Sequence, residues 1–327
     1  MKCLVTGANG FIGSCLVQKL IAEGHSVRCL VRENSNCEYL KELPVEYSQG
    51  SLFDHCSLCH AVDGVDYIFN FAGKTRALKN SDYFLANATG AKNLFQAAQE
   101  AAPKIRGIVH VSSLAAIGPA PQETPLSEDA VPNPVTPYGA SKLESEKIAY
   151  SYMDKLPITI IRPPVVFGPR DRSGLAMFKS AAKGYNLAIA NCDPLLVPIY
   201  VQDLVDGCYL LSQHPRAANE AFFLTGDEVT TPHGLFSILS QAMPTTRQRT
   251  VTLPYWLACL AVYALELRAQ VIRKPNRLNS AKLTEIRHYS WLASNAKAKN
   301  FGFSPLTPLQ TGLLNTMKWY QDAGWLA

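Results

Sequence analysis

Short apolar runs alternate with longer amphipathic stretches through the first two thirds of the chain, a pattern that predicts strands and helices in turn. Residues 2–6, 26–31, 45–47, 66–71, 105–111 and 158–161 read as strands, and 220–224 as a late one. Between them a helical period runs from the first glycine loop to about Glu23, from about Asp82 to Ala101, and onward from Tyr138; Ile199 to Gly207 opens a further helix. Alternation in this order implies an α/β fold with a doubly wound parallel sheet. Beyond residue 170 the pattern loosens, and from about 227 it is mostly helical with proline punctuation. We expect residues 1–170 to form the sheet domain with 200–226 packing back onto it, and 171–199 with 227–327 to form a smaller, mostly helical C-terminal substrate domain.

Sheets of this kind hold ligands at the carboxyl ends of their strands, so the loops there carry the candidate chemistry. Thr6-Gly7-Ala8-Asn9-Gly10-Phe11-Ile12-Gly13 stands between the first strand and the first helix. Gly7 and Gly10 permit a tight turn and close approach of a pyrophosphate to the N–H groups that open the helix at Phe11 and Ile12, while Gly13 lets helix and strand pack closely. That placement predicts dinucleotide binding on a Rossmann sheet. At the tip of the second strand Val31-Arg32 stands where an acid usually binds both ribose hydroxyls, and a guanidinium there favours NADP over NAD. Glu33 argues the other way, since it could bend back to a ribose. Ser51 and Leu52 belong to a loop that can flank the adenine, and Ala72-Gly73 leaves a small strand tip where a cofactor would pass.

The fifth strand delivers Ser112-Ser113 to the same edge, and Asn87 lies on the long helix facing the fourth strand. Tyr138 and Lys142 are placed one turn apart on a helix that follows Pro132, Pro134 and Pro137, so phenol and ammonium project from one face. A fixed positive charge favours the phenolate, which would let Tyr138 give or take the proton of a hydroxyl or carbonyl while a cofactor handles the hydride. By itself this spacing also fits a solvated helix face.

The 327 residues carry a net charge of +5, too mild to argue for nucleic acid. Cations do gather late: Arg247, Arg249, Arg268, Arg273, Lys274, Arg277, Lys282, Arg287, Lys297 and Lys299 share their stretch with only Glu266 and Glu285. The nine cysteines suit free thiols in a reducing compartment. His55-Cys56-Ser57-Leu58-Cys59-His60 reads as a short helix with ordinary thiols, and no metal is expected. Met1-Lys2-Cys3-Leu4-Val5-Thr6 runs straight into the glycine loop, without the apolar core of a signal peptide, so a cytoplasmic protein is expected. The apolar run Leu253 to Leu265, with cations close behind, either lies buried in its own domain or rests on the inner face of a membrane through residues 253–274.

Taken together, the glycine loop, Asn87 with Gly90, Ser112-Ser113, Tyr138 with Lys142, Arg162-Pro163 and Tyr200-Val201 with Asp203 resemble the extended short-chain dehydrogenases/reductases, the NAD(P)-dependent epimerase/dehydratase group. The 3-beta-hydroxysteroid-dehydrogenase-like and dihydroflavonol-reductase-like members are its nearest likeness. The resemblance implies Tyr138 as acid/base, Lys142 lowering its pKa and holding the nicotinamide ribose, Ser113 on the reacting oxygen, Asn87 in support and the backbone at Val165 on the carboxamide. It implies an NADP- or NAD-dependent oxidoreductase acting on a small-molecule alcohol or ketone, and leaves room for a homodimer. A sugar-nucleotide epimerase is the alternative, with Arg170 and Arg172 standing in for a missing diphosphate-binding Arg; a non-catalytic NADP sensor is a second. Leu114-Ala115-Ala116 after Ser113 lacks the acidic pair of the sugar-nucleotide dehydratases.

Overall fold

The computed structural model describes residues 1–243, 249–276, 279–288 and 290–326; Arg247 and Arg277 of the basic stretch lie outside the described residues. Its first half comprises β1 (Lys2–Thr6), α1 (Phe11–Ala22), β2 (Ser26–Val31), β3 (Val45–Gln49), α2 (His55–Val62), β4 (Tyr67–Asn70), α3 (Asn80–Phe84), α4 (Gly90–Ala101), β5 (Gly107–Val111), α5 (Leu114–Ile117), α6 (Pro137–Tyr152) and β6 (Ile158–Arg162). There follow β7 (Val166–Phe167), α7 (Leu175–Ala182), β8 (Tyr185–Ile189), β9 (Ile199–Tyr200), α8 (Val201–Gln213), β10 (Ala221–Phe223) and α9 (Pro232–Ala242). The chain ends through β11 (Arg249–Leu253), α10 (Tyr255–Ile272), α11 (Ser280–His288), α12 (Ala296–Lys299) and α13 (Leu309–Asp322).

Seven strands form one parallel sheet in the order β10-β6-β5-β4-β1-β2-β3, so the chain winds outward one way from β1 and then the other way from β4. The sheet is covered on both faces. Leu16, Val17 and Leu20 of α1 share one apolar cluster with Leu204, Val205 and Cys208 of α8. Leu58 of α2, Leu94 and Phe95 of α4 and Ala149 of α6 share the other. Each such leucine or phenylalanine taken from water contributes about 1.5–3 kcal/mol. The reversal between β1 and β4 opens a crevice at the carboxyl edge, where the glycine loop and Ala72-Gly73 face each other.

Two departures from the sequence expectation matter. The helix expected over 82–101 is interrupted by a π turn at Leu85–Thr89, so that α3 and α4 are separate pieces. Asn87 sits in that turn, buried, and the extra residue per turn redirects its side chain into the interior. The region expected to be mostly helical also contains a small parallel ribbon, β11 on β8, and a second one, β7 on β9, joins the end of the expected sheet domain to Ile199 and Tyr200.

Candidate active site

The glycine loop adopts a form that only glycine tolerates. A Cβ on Gly13 would lie 2.1 Å from the Gly7 carbonyl oxygen, and Gly7 has φ +68° with the Phe71 carbonyl pressed against it. Gly10 caps α1 without a side-chain bond, and no acid stands in the first turn, leaving the N–H groups at Phe11, Ile12 and Gly13 to face an anion. Across the crevice the Ala72 N–H bonds Thr6 Oγ1 at 3.2 Å. A Cβ on Gly73 would come within 3.5 Å of Lys142 Nζ. Ser51 Oγ accepts from Phe53 N–H at 3.2 Å, and the Leu52 carbonyl accepts from Asn93 at 2.7 Å, which fixes the loop beside them. Arg32 is exposed, its guanidinium paired with no carboxylate among the described residues; Glu33 is exposed beside it. These features fit a dinucleotide laid along the strand tips, with phosphates at α1.

Tyr138 is placed by the start of α6. Thr136 caps that helix, its Oγ1 accepting from Gly139 N–H at 3.1 Å, and Pro137 opens it. Gly139 is required because a Cβ there would lie 2.3 Å from the Ala115 carbonyl oxygen, so α6 closes on α5 and brings Tyr138 to Ser113. Ser113 caps α5 through Ala115 N–H at 3.2 Å and hydrogen-bonds Tyr138. Ser112, its neighbour, is buried and its hydroxyl has no partner among the described residues.

Burial pushes the Tyr138 phenol up to about 12, against the Ser113 hydrogen bond, with Glu285 and Tyr83 adding to the rise. Lys142 is pushed down to about 8 by burial, partly offset by the Glu146 carboxylate. Its ammonium donates to the Val111 carbonyl at 2.7 Å. The expected lowering of the Tyr138 pKa by Lys142 is not found in the free protein: desolvation dominates and the phenol keeps its proton. Asn87 is a clamp, accepting from Lys74 N–H at 2.7 Å and donating to the Lys74 carbonyl at 3.1 Å and to Ser141 Oγ at 2.8 Å. It ties the loop after β4 to α6. The Val165 carbonyl accepts from Ile199 N–H at 3.0 Å, and its side chain is exposed at the cavity wall.

Ser113, Tyr138 and Val165 line a cavity of about 800 Å³. It is also lined by Glu266, Ala269 and Gln270 of α10, by Lys282, Glu285 and Ile286 of α11, and by Leu196 and Trp291. The two arginines that the epimerase alternative would need for a diphosphate are engaged elsewhere. Arg170 donates to Ser14 Oγ at 3.0 Å and lies 4.8 Å over the Tyr39 ring, and Arg172 lies 4.6 Å over Trp325. Neither lines the cavity. His55, Cys59 and Glu100 bring ligand-type atoms within 4.8 Å of one another at the surface, with His55 Nε2 2.8 Å from Glu100.

Two buried groupings beneath the site escape sequence reading. Thr6 Oγ1 donates to Asn70 Oδ1 at 2.7 Å, Asn70 Nδ2 lies 3.0 Å from His110 Nδ1, and His110 Nε2 lies 3.1 Å from Ser145 Oγ, which donates to the Lys142 carbonyl at 2.8 Å. Because Asn70 donates to Nδ1, the imidazole is neutral with its proton on Nε2. The second grouping is the fork of Arg162 on Glu146, at 3.1 Å from Nε and 2.8 Å from Nη2, which pins α6 to β6. In the sequence Thr6, Asn70, His110 and Arg162 show only as polar residues in apolar runs, and Ser145 and Glu146 stand unmarked in a polar stretch of helix.

Residues 3–224 match the NAD dependent epimerase/dehydratase family. The chain is 34% identical over 176 residues to sterol demethylase protein B of Methylococcus capsulatus, a match spanning 52% of this chain and 53% of that protein. It is 26% identical to the ceramide reductase of Caulobacter vibrioides over 98% of this chain and 95% of the relative. The UDP-glucose 4-epimerase of Thermotoga maritima, solved with UDP-glucose, superposes over 99% of both chains with a TM-score of 0.82 at 22% identity, which shows the shared fold. With the glycine loop, the crevice and this match in place, the chain belongs to the NAD dependent epimerase/dehydratase family, within the extended short-chain dehydrogenases/reductases, and is an NAD(P)-dependent enzyme.

Proposed function

We propose that this protein is an oxidoreductase that interconverts a ketone and a secondary alcohol on a largely apolar small molecule, with Ser113, Tyr138 and Lys142 as its working residues. The nicotinamide, when bound, supplies or takes the hydride. The observation that carries the reading is the convergence of the Ser113 and Tyr138 hydroxyls on one wall of a cavity whose other side includes Leu196, Ile286 and Trp291. Two hydroxyls aimed at one oxygen stabilise the negative charge that develops there. A phenol held protonated is ready to donate to a carbonyl oxygen, which suits the reductive direction. Ser113, through its hydrogen bond, sets where that oxygen would sit. Lys142 carries its charge between the Val111 carbonyl and Gly73, at the edge of the crevice, and serves to hold a ribose hydroxyl. The relatives named for sterol demethylation and ceramide reduction support an apolar substrate.

The unpaired Arg32 supports NADP over NAD, because a guanidinium on a 2′-phosphate contributes about 1.5–3 kcal/mol, roughly tenfold or more in affinity. One set of titrations and turnover assays with NADPH and NADH, over a panel of apolar ketones and alcohols, tests both parts. Wild type should bind NADPH at least tenfold more tightly, Arg32→Ala should abolish that preference, and Tyr138→Phe should bind cofactor normally while losing most turnover. Near-normal turnover by Tyr138→Phe would remove it as the acid/base. Equal cofactor affinities unaffected by Arg32→Ala would sink the NADP assignment.

A further inference from the structure

Helix α10 is 18 residues long and apolar enough by length and composition to cross a membrane, yet it lies at the surface with only 17% of it buried. Trp256, Leu260, Tyr263, Leu267 and Val271 are between 46% and 83% exposed. At 3.6 residues per turn they fall in a stripe roughly 80° wide, directly opposite Ala258, Val262 and Ala269. Those three are buried; Ala258 and Val262 pack with Leu283 of α11. The ribbon leading into the helix exposes Tyr185, Leu187 and Val251 on one of its faces. Solvent-facing leucine, tryptophan and valine in one contiguous row are a cost unless something covers them.

The charges around the stripe identify what does. Arg268, Arg273 and Lys274 are exposed and form no ion pair among the described residues. Glu266, the acid of the helix, is turned away and accepts from the Ser280 N–H and hydroxyl at 2.8 and 2.9 Å. An apolar row bearing tryptophan and tyrosine, bordered by free cations and no free acid, matches the layering of an anionic lipid surface. A second copy of the chain would set these cations against their own kind. The packed edge of the helix and its place in the cavity wall favour lying along the interface over spanning it.

We propose that the outer face of α10 seats the protein on the headgroup layer of an anionic bilayer, as a peripheral protein lying along the interface. The flank of the same helix between the outer stripe and the buried edge, from Ala269 through Glu266 to the exposed Gln270, walls the catalytic cavity, which thus lies beside the lipid-facing row. Docking does not depend on the oxidoreductase reading, and lipid binding is measured without turnover, so the two fail separately.

Flotation of the full chain with phosphatidylcholine vesicles, with and without phosphatidylglycerol, tests it against Leu260→Glu/Leu267→Glu and Arg268→Glu/Arg273→Glu variants, with NADPH binding and melting temperature as controls for folding. Wild type should float with the anionic vesicles, less so at high salt. Each cation contributes about fivefold to partition, so the reversed pair should lose at least tenfold. The leucine variant should stay with the lipid-free fraction. Should either variant misfold, bromine-labelled lipid should quench the unaltered protein more than Trp256→Phe. Wild type that fails to float, a leucine variant that floats equally, or a lipid-free dimer that the leucine variant splits into monomers would each overturn the proposal.

Discussion

Among single residues, His110 has the largest consequence that its own segment does not reveal. In sequence it is one polar residue in the apolar run of β5; in the fold it is bonded on both sides, 40 residues from Asn70 and 35 from Ser145. Burial, with the nearby Lys142 charge, pushes its pKa from 6.5 down to about 3. Between those values the unfolded chain takes up a proton that the folded one refuses. The stability from this group is complete above about pH 6.5 and is lost as pH falls toward 3, at about 1.4 kcal/mol per pH unit. Denaturant unfolding of wild type and His110→Gln from pH 7.5 to 5 should show the wild-type slope flattened in the variant, which has nothing to protonate. Parallel slopes would mean that the histidine is charged or solvated in the native state. The places of Gly7 and Gly13 between a strand and a helix, and of Tyr138 and Lys142 one turn apart on a helix, were legible because each depends on near neighbours in the chain. His110 was not, because its role comes from residues brought across two strands.

At the scale of elements, the inner strands could be read from sequence because a strand covered on both faces is a continuous apolar run, whereas the edge strand β3, polar and largely exposed, was read only over 45–47. The π turn at Leu85–Thr89 could not, since inserting one residue into a turn leaves the apolar period almost unchanged. Helix α6 shows the same division: its capping by Thr136 and Pro137 is local, whereas its attachment to β6 is the buried fork between Glu146 and Arg162. Removing one partner strands a charge in the interior. Glu146→Ala should therefore cost about 3 kcal/mol or more and lower the melting temperature by about 4 °C or more. The double change Glu146→Leu with Arg162→Met should recover much of that, because it removes both charges and keeps the volume. Calorimetry of the two variants checks it, and a single variant that melts like wild type would show that the pair carries no such load.

For the whole molecule, the sheet supplies a reactive edge and the C-terminal helices supply the wall that faces it, so substrate class is decided largely by the part of the chain least readable in sequence. An apolar run such as that of α10 looks the same whether it is buried or bare; only the packing of Ala258, Val262 and Ala269 shows which side is which. The same division bears on the sugar-nucleotide alternative. A diphosphate needs a cation aimed into the cavity, and Arg170 and Arg172 are held instead by Ser14 with Tyr39 and by Trp325. Arg76 and Lys282, which do line the cavity, are engaged as well: Arg76 donates to Ser173 Oγ at 2.6 Å and Lys282 to Glu285 at 2.6 Å. A ligand that binds only the native state stabilises it by mass action, about 2.7 kcal/mol at a hundred times its Kd, which in a protein of this size raises the melting temperature by several degrees. NADPH should produce that rise, and UDP-glucose or UDP-galactose added to the NADPH complex should produce none. A further rise with a UDP-sugar, together with cofactor that stays bound through turnover, would return the epimerase reading to first place and require Arg76 to leave Ser173, or Lys282 to leave Glu285, for the diphosphate.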